Sequence, residues 1–302
     1  MGAENVTESR ARRRADDVSV VVVTYDALPW IDRCLASVAG YDAVVVDNGS
    51  TDDTVALIRE RHPEAHVLQR ENRGLAAGWN AGIAATDKPY VFLLNADAWL
   101  AAADSLDLLV DAADGHPRAA VVGPRLRYPD GRLQPSVRGF PTPWRIATEY
   151  LFLRKLAPRS QALNAFYASG FDHADERRAD FVMGAAMLVR REAIEDVGQL
   201  DEDFFLFSEE TDWCYRFARA GWEVVFTPAA EVVHVSGAVH GGRMFRENMR
   251  GHLRFLLKHH GRRAAERARR VMIVGCLLRV PRDRQFLDIA RWLRSASAPE
   301  LL

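Results

Sequence analysis

The densest chemistry in the chain is Phe204-Phe205-Leu206-Phe207-Ser208-Glu209-Glu210-Thr211-Asp212-Trp213-Cys214-Tyr215-Arg216. An apolar run there meets three carboxylates within four positions. Apolar side chains favour burial, whereas clustered carboxylates repel one another and favour water or a cation. Two readings follow. One is a helix N-terminus, with Ser208 as cap and Glu209, Glu210 and Asp212 in the positive first turn. The other is a general base at the lip of a pocket. On a helix Glu209 and Asp212 share a face and Glu210 points elsewhere, so the three cannot all meet one substrate.

The elements that must position these groups are legible upstream. Val18 to Tyr25 is an almost unbroken β-branched run, the pattern of a strand buried on both faces of a parallel sheet. Further strands are predicted at Tyr41–Val46, His66–Leu68, Tyr90–Leu94 and Ala119–Gly123. Helices are predicted between them, at Leu28–Val38, Val55–Arg61, Leu75–Ala85 and Leu106–Ala113. This alternation is the signature of a doubly wound α/β sheet flanked by helices, in which ligands bind beyond the carboxyl ends of the strands. Polar residues stand at three such ends: Thr24-Tyr25-Asp26, Asp47-Asn48 and Asn95-Ala96-Asp97. Each group alone could be turn chemistry, but together they predict a shared binding site along one sheet edge.

From Pro124 to about residue 179 the chain is irregular and proline-rich, with an amphipathic piece at Trp144–Leu156. Such excursions over a sheet are where a second substrate is commonly held. Order resumes with a strand at Phe181–Val189 and a short helix at Arg191–Val197. The carboxylate helix follows, stopping at Gly221, and then strands at Glu223–Phe226 and Val232–His234.

Composition excludes several classes. Cys34, Cys214 and Cys276 lie far apart, which argues against a disulfide framework or a structural zinc site and suits a reducing, cytoplasmic setting. No apolar run approaches the roughly 18 residues needed to span a bilayer. Residues 1–17 are polar and read as a disordered lead rather than a signal peptide. The net charge of −1 conceals an asymmetry: between Arg243 and Arg294 stand fifteen Lys or Arg against four Asp or Glu. A basic C-terminal extension on an acidic body predicts an anionic contact.

In order, Val20–Tyr25, Asp47-Asn48-Gly49-Ser50-Thr51-Asp52, Asn72-Arg73-Gly74 with Asn80-Ala81-Gly82, Asn95-Ala96-Asp97, Gly184-Ala185-Ala186, Phe204–Arg216 and His234 form a recognisable series. The series closely resembles the inverting family 2 glycosyltransferases of GT-A fold, and among them bacterial rhamnosyltransferases that act on lipid-linked saccharides. The resemblance spans about residues 18–240. It implies a nucleotide-sugar half at 18–125, an acceptor half at 126–240, and a helical extension at 241–302. It further implies that Thr24, Tyr25, Asp26, Asp47, Asn48, Arg73, Asn80, Asn95, Ala96 and Asp97 contact the donor, a dTDP- or UDP-sugar. In the family a DXD-like motif holds a divalent cation, Mg²⁺ or Mn²⁺, against the donor diphosphate. Here the motif is Asn95-Ala96-Asp97, one carboxylate short, so Asp97 and His234 are the implied ligands, with His240 in reserve. The family's Glu-Asp-x-Asp reads Glu209-Glu210-Thr211-Asp212 here, which places Glu210 at the catalytic position and Asp212 as the alternative base, an acceptor contact or the group that orients Arg216. Gly184, Ala185 and Glu209 fall at the acceptor.

Two rival functions fit less well. A nucleotidyltransferase calls for a glycine-rich phosphate loop with a lysine after the first strand, and Tyr25-Asp26-Ala27-Leu28-Pro29 supplies neither. A non-catalytic sugar-nucleotide or lipid-binding module would have no use for Asp97, Glu210 and His234 together. In the extension, Phe245, Met249, Leu253 and Leu256 recur at helical spacing among Arg246, Arg250, Arg254 and Lys258, and a second helix is expected at Ala264–Leu278. That surface is expected to pack on the body, to rest on an anionic membrane as a peripheral contact, or to support a homodimer. Nucleic acid is not expected, because stacking aromatics and a recognised fold are missing.

Overall fold

The computed structural model describes residues 15–157, 160–168, 170–236 and 242–295. The first half alternates as the hydrophobic pattern requires: β1 (Val18–Thr24), α1 (Ile31–Ser37), β2 (Asp42–Asp47), α2 (Thr54–Arg61), β3 (His66–Gln69), α3 (Leu75–Ala84) and β4 (Tyr90–Asn95). β5 (Ala98–Leu100), α4 (Ser105–Gly115) and β6 (Ala119–Arg127) follow. The strands lie in the order β3-β2-β1-β4, all parallel. Within β1, Val20 and Val22 enter one core with Ile31 and Leu35 of α1 and Leu106 and Leu109 of α4. Val21 enters the opposite core with Trp79 and Ile83 of α3. This two-sided burial is why the strand carries β-branched residues without a polar alternation.

The irregular middle of the chain contributes short pieces: β7 (Leu133–Gln134), β8 (Val137–Arg138), α5 (Pro143–Tyr150), α6 (Gln161–Asn164) and β9 (Arg177–Ala179). The expected single strand at Phe181–Val189 is two, β10 (Phe181–Val182) and β11 (Ala186–Arg190), with Gly184 and Ala185 outside both ladders. β10 pairs with β8, whereas β11 runs antiparallel to β4 and joins the main sheet. α7 (Arg191–Val197) and α8 (Glu209–Ala220) then pack on the second core through Ile194, Trp213 and Phe217. A fully buried side chain such as Phe217 contributes about 1.5–3 kcal/mol. The two expected late strands are one, β12 (Glu223–His234), paired with β6 from Glu223 to Val233 with register shifts after Glu223 and at a bulge between Thr227 and Glu231. Pro228 sits in that bulge, where the missing N–H costs no ladder hydrogen bond.

The extension comprises α9 (Gly242–His260), α10 (Arg262–Leu277) and α11 (Gln285–Ser295). Met249, Leu253 and Leu256 of α9 are buried with Met272 of α10, Ile289 and Leu293 of α11, and Ile146 and Tyr150 of α5. Of the three readings for the apolar stripe, packing on the body is the one observed, as the inside of a third core. Residues 1–14 of the expected lead and His240 lie outside the described residues.

Candidate functional site

Because β1, β2 and β4 are parallel, their carboxyl ends share one edge, with Thr24 opposite Asp47 and Val23 opposite Asn95. β11 runs the other way, so its beginning reaches the same edge, and the Asn95 N–H donates to the Ala185 carbonyl at 3.0 Å. The topology thus brings the three polar strand ends and Gly184-Ala185 together.

On the β1–β2 side, Thr24, Asp47 and Asn48 are buried. Asp47 accepts from the Ser50 N–H at 3.3 Å and from the Ser50 hydroxyl. Asp26, in a left-handed conformation with φ +48°, accepts from the Thr51 N–H at 2.7 Å. The two aspartates brace the loop between β2 and α2 from both sides. The Asn48 amide donates to the Gly74 carbonyl at 3.1 Å. Among the described residues Thr24 Oγ1 and Asn48 Oδ1 have no hydrogen-bond partner, although buried groups of this kind are normally paired. Tyr25 is exposed beside them. Two expected donor contacts are engaged elsewhere. Asn80 exchanges two hydrogen bonds with the backbone of Leu200, at 2.9 and 3.0 Å, and Arg73 pairs with Glu202 at 3.3 Å.

Asp97 lies in the turn from β4 to β5, and β5 pairs with the end of β12, so Ala98 faces His234. His234 Nε2 stands 3.3 Å from Asp97 Oδ1, while Nδ1 is 2.9 Å from Gln134 Oε1. In the tautomer whose Nδ1–H donates to the Gln134 oxygen, the Nε2 lone pair faces the Asp97 carboxylate oxygen. Two electron-pair donors so disposed, with the ring fixed from behind, fit a divalent cation between them. Among the described residues no third carboxylate, imidazole or thiol completes a cluster.

The carboxylate loop is strained. Phe207 and Ser208 are both left-handed, with φ +68° and +71°, and such pairs persist only where the surroundings impose them. Ser208 precedes α8 as expected, but its hydroxyl does not cap the helix; its carbonyl instead accepts from the Asp212 N–H at 2.9 Å. The Phe205 carbonyl accepts from the Leu75 N–H at 2.8 Å and so closes the N-terminus of α3. Glu210 packs against Gly184: a Cβ there would lie 3.5 Å from its Cβ and Cγ. Glu209 and Glu210 each keep a carboxylate oxygen without a partner among the described residues. Burial pushes the pKa of both up, Glu209 well above its ordinary value, and the charge of Glu210 raises Glu209 further. For Glu210 the rise is opposed by N–H groups of its own helical turn and by the Arg138 guanidinium.

Arg138 had no signal in the sequence. It extends from β8 with its guanidinium over the Tyr167 ring at 4.7 Å, a weak bond to the Val137 carbonyl at 3.3 Å, and no carboxylate ion pair among the described residues. Burial pushes its pKa down.

Asp212 occupies a different environment from Glu210. It is fully buried and meets Arg216 at 2.8 Å, Lys258 at 2.8 Å and His259 at 2.7 Å. Burial alone would raise its pKa, but hydrogen bonds from His259, Lys258 and Arg216 outweigh it and hold the value at about 2. An anion so locked is an anchor between α8 and α9, and of the places expected for it the pairing with Arg216 is the one the geometry shows. A cavity of about 270 Å³ lies beyond this loop, between Phe204–Phe207 and Arg250, Gly251 and Arg254 of α9, rather than at the sheet edge.

Residues 19–198 match the family described as "Glycosyl transferase family 2". The chain is 33% identical over 240 residues to the N-acetylglucosaminyl-diphospho-decaprenol L-rhamnosyltransferase of Mycobacterium tuberculosis, a match covering 72% of this chain and 76% of that protein. It is 28% identical over 232 residues to the pre-mycofactocin glycosyltransferase of the same organism, covering 72% of this chain and 42% of that one. Among solved structures, the mannosyltransferase PcManGT of Pyrobaculum calidifontis, in complex with GDP-Man and Mn²⁺, superposes with a TM-score of 0.58 at 17% identity. That superposition covers 99% of this chain and 85% of the other. GalNAc-T7, with UDP, GalNAc and Mn²⁺, gives a TM-score of 0.58 at 16% identity over 94% and 57% of the two chains. At such identities these likenesses speak to the fold.

Proposed function

Since the chain belongs to glycosyl transferase family 2 and has the GT-A fold, we propose that this transferase moves L-rhamnose from dTDP-rhamnose to a saccharide on a polyprenyl diphosphate. The transfer inverts the anomeric carbon and serves cell-envelope polysaccharide synthesis at the cytoplasmic face of the membrane. The rhamnose donor and the lipid-diphosphate acceptor are supported by the mycobacterial relative at 33% identity. The observation that carries the mechanism is Glu210 held against Gly184, on the strand end whose Ala185 is bonded to Asn95.

Thr24, Tyr25, Asp47 and Asn48 take the nucleotide, the unpartnered Thr24 and Asn48 oxygens supplying free acceptors. Asp26 orders the loop around the nucleotide, and Asn80 is a positioning residue that fixes the chain leading to Phe204. Arg73 reaches the donor by exchanging its exposed pairing with Glu202. Asn95, Ala96 and Asp97 face the diphosphate. Asp97 and His234 would hold Mg²⁺ or Mn²⁺, which when bound neutralises charge growing on the diphosphate. Gly184, whose missing side chain lets Trp79 and Glu210 close in on the backbone, and Ala185 border the acceptor beside Glu210. Glu210 takes the proton of the acceptor hydroxyl as that oxygen bonds to the anomeric carbon and the bond to the diphosphate breaks. Glu209, its charge suppressed by burial and by Glu210, keeps its proton and sits behind the acceptor.

The test is transfer from dTDP-rhamnose to a lipid-diphosphate-linked N-acetylglucosamine with Mg²⁺ or Mn²⁺. Glu210→Gln should lower kcat by about 10²–10⁴-fold, the usual range for a general base, while calorimetric donor binding stays near wild type. Near-normal turnover in that variant would reject the base, and thermal stabilisation by UDP-sugars alone would reject the donor.

A further inference from the structure

α10 presents one line of exposed residues: Arg263, Arg267, Arg270, Val274 and Leu277, continued by Leu278. Their spacing of three and four keeps them on a single side of the helix. The opposite side is spent on the third core through Ala268, Met272 and Cys276. Val274, Leu277 and Leu278 are 48%, 38% and 52% exposed, which is unusual for large apolar residues grouped on one helix end. Beside them, Arg279 and Arg282 lie over the ring of Phe152. Phe152 opens a turn that carries Leu156, 80% exposed.

The charges distinguish this side from α9. In α9, Arg250 is paired with Glu247, Arg254 with Asp203, and Lys258 with Asp201 and Asp212. Arg263, Arg267 and Arg270 have no carboxylate partner among the described residues. Between Arg262 and Arg284 eight arginines stand against Glu266 and Asp283. Exposed leucine and valine tips within a field of unpaired guanidinium groups complement an anionic phospholipid surface, which offers phosphates and, just below them, acyl chains. A protein partner with one acidic patch would satisfy the arginines and leave the apolar tips in water.

We infer that this side of α10, with the neighbouring Leu156 turn, is a membrane-docking surface. Val274, Leu277 and Leu278 enter the headgroup–acyl boundary, and Arg263, Arg267 and Arg270 bind lipid phosphates. No helix among the described residues is long and apolar enough to cross a bilayer, so the contact is peripheral. The surface gives the proposed lipid-linked acceptor a place to meet the enzyme, yet vesicle binding can succeed or fail independently of catalysis.

Sedimentation of the full chain with vesicles of phosphatidylcholine containing phosphatidylglycerol tests it, against pure phosphatidylcholine. Wild type should partition to the anionic vesicles and be released by salt. The triple variant Arg263→Gln, Arg267→Gln, Arg270→Gln should bind about a hundredfold more weakly, each arginine near such a surface being worth roughly fivefold. Val274→Ser with Leu277→Ser and Leu278→Ser should weaken binding while keeping the salt dependence, with circular dichroism and melting temperature showing both variants folded. No binding by wild type at low salt would overturn the inference. So would equal binding by folded variants, a dimer that breaks with the serine variant in place of vesicle binding, or a preference for nucleic acid over vesicles.

Discussion

Whether Glu210 can act as a base depends on charges that its sequence neighbours do not reveal. A base must be ionised, and burial raises the Glu210 pKa. Activity should therefore fall as pH drops through a value above the usual glutamate range of about 4.3. Arg138 favours the ionised form, and the first-turn N–H groups act in the same direction. Removing the guanidinium in Arg138→Gln should move the acid limb of kcat/KM upward by about one unit, the lower end for a neighbouring opposite charge. Arg138→Lys should restore much of it, and activity well above the limb should stay within a few fold. A limb that does not move would show that Arg138 acts only through packing. The nearness of Asp97 and His234 was legible because one follows β4 and the other ends β12 within an ordered series of motifs. Asp212 was half legible: Arg216 lies one helical turn away, but His259 lies 47 residues downstream on a helix whose docking no local pattern encodes. Arg138 lies in a two-residue strand within a proline-rich stretch and left no periodic signal at all.

Among the elements, those with a clean period were legible and those joined by tertiary contacts were not. β1 to β4 and their helices follow from β-branched runs and amphipathic spacing. The unity of β12 was hidden because Thr227-Pro228 reads as a break, while the partner strand β6 carries the pairing across the bulge. The coupling of α3 to the carboxylate loop was hidden for a related reason. Asn72-Arg73-Gly74 appeared as a donor motif, yet Gly74 holds φ +99° and ψ 172°, a region that side chains avoid. A Cβ on it would come within 2.5 Å of the Phe205 carbonyl oxygen. That carbonyl also receives the Leu75 N–H, so donor-side helix and base loop meet at one point. Gly74→Ala should cost about 1–3 kcal/mol from the backbone alone, more with the clash, and should displace the Phe204–Ser208 loop. Urea unfolding should show the loss, and kcat should fall more than donor affinity. A variant with wild-type stability and turnover would mean that the loop is not seated on α3.

At the scale of the whole molecule, the basic extension reads in sequence as an appendage, and its packing argues that it belongs to the folding unit. Ile146, Tyr150 and Phe166 of the middle segment are buried only because α9, α10 and α11 cover them. Asp212 in α8 loses Lys258 and His259 if α9 is removed. Its pKa, held down at about 2, makes the sign clear: the anchor contributes stability above the normal carboxylate range and loses it as pH falls from about 4 towards 2. Without α9 the buried carboxylate keeps only Arg216, and breaking a buried ionic cluster on one side costs about 3–5 kcal/mol. That is comparable to much of the 5–15 kcal/mol that keeps a domain folded. A chain ending at residue 240 should therefore be insoluble or melt well below the full chain, and adding Asp212→Asn should not rescue it, because the apolar faces of α5 remain bare. If that shorter chain instead melted with the full chain's cooperativity and bound nucleotide sugar as well, α9–α11 would be a separate unit. The membrane surface of α10 would then be carried by a detachable arm rather than by the body that holds Glu210.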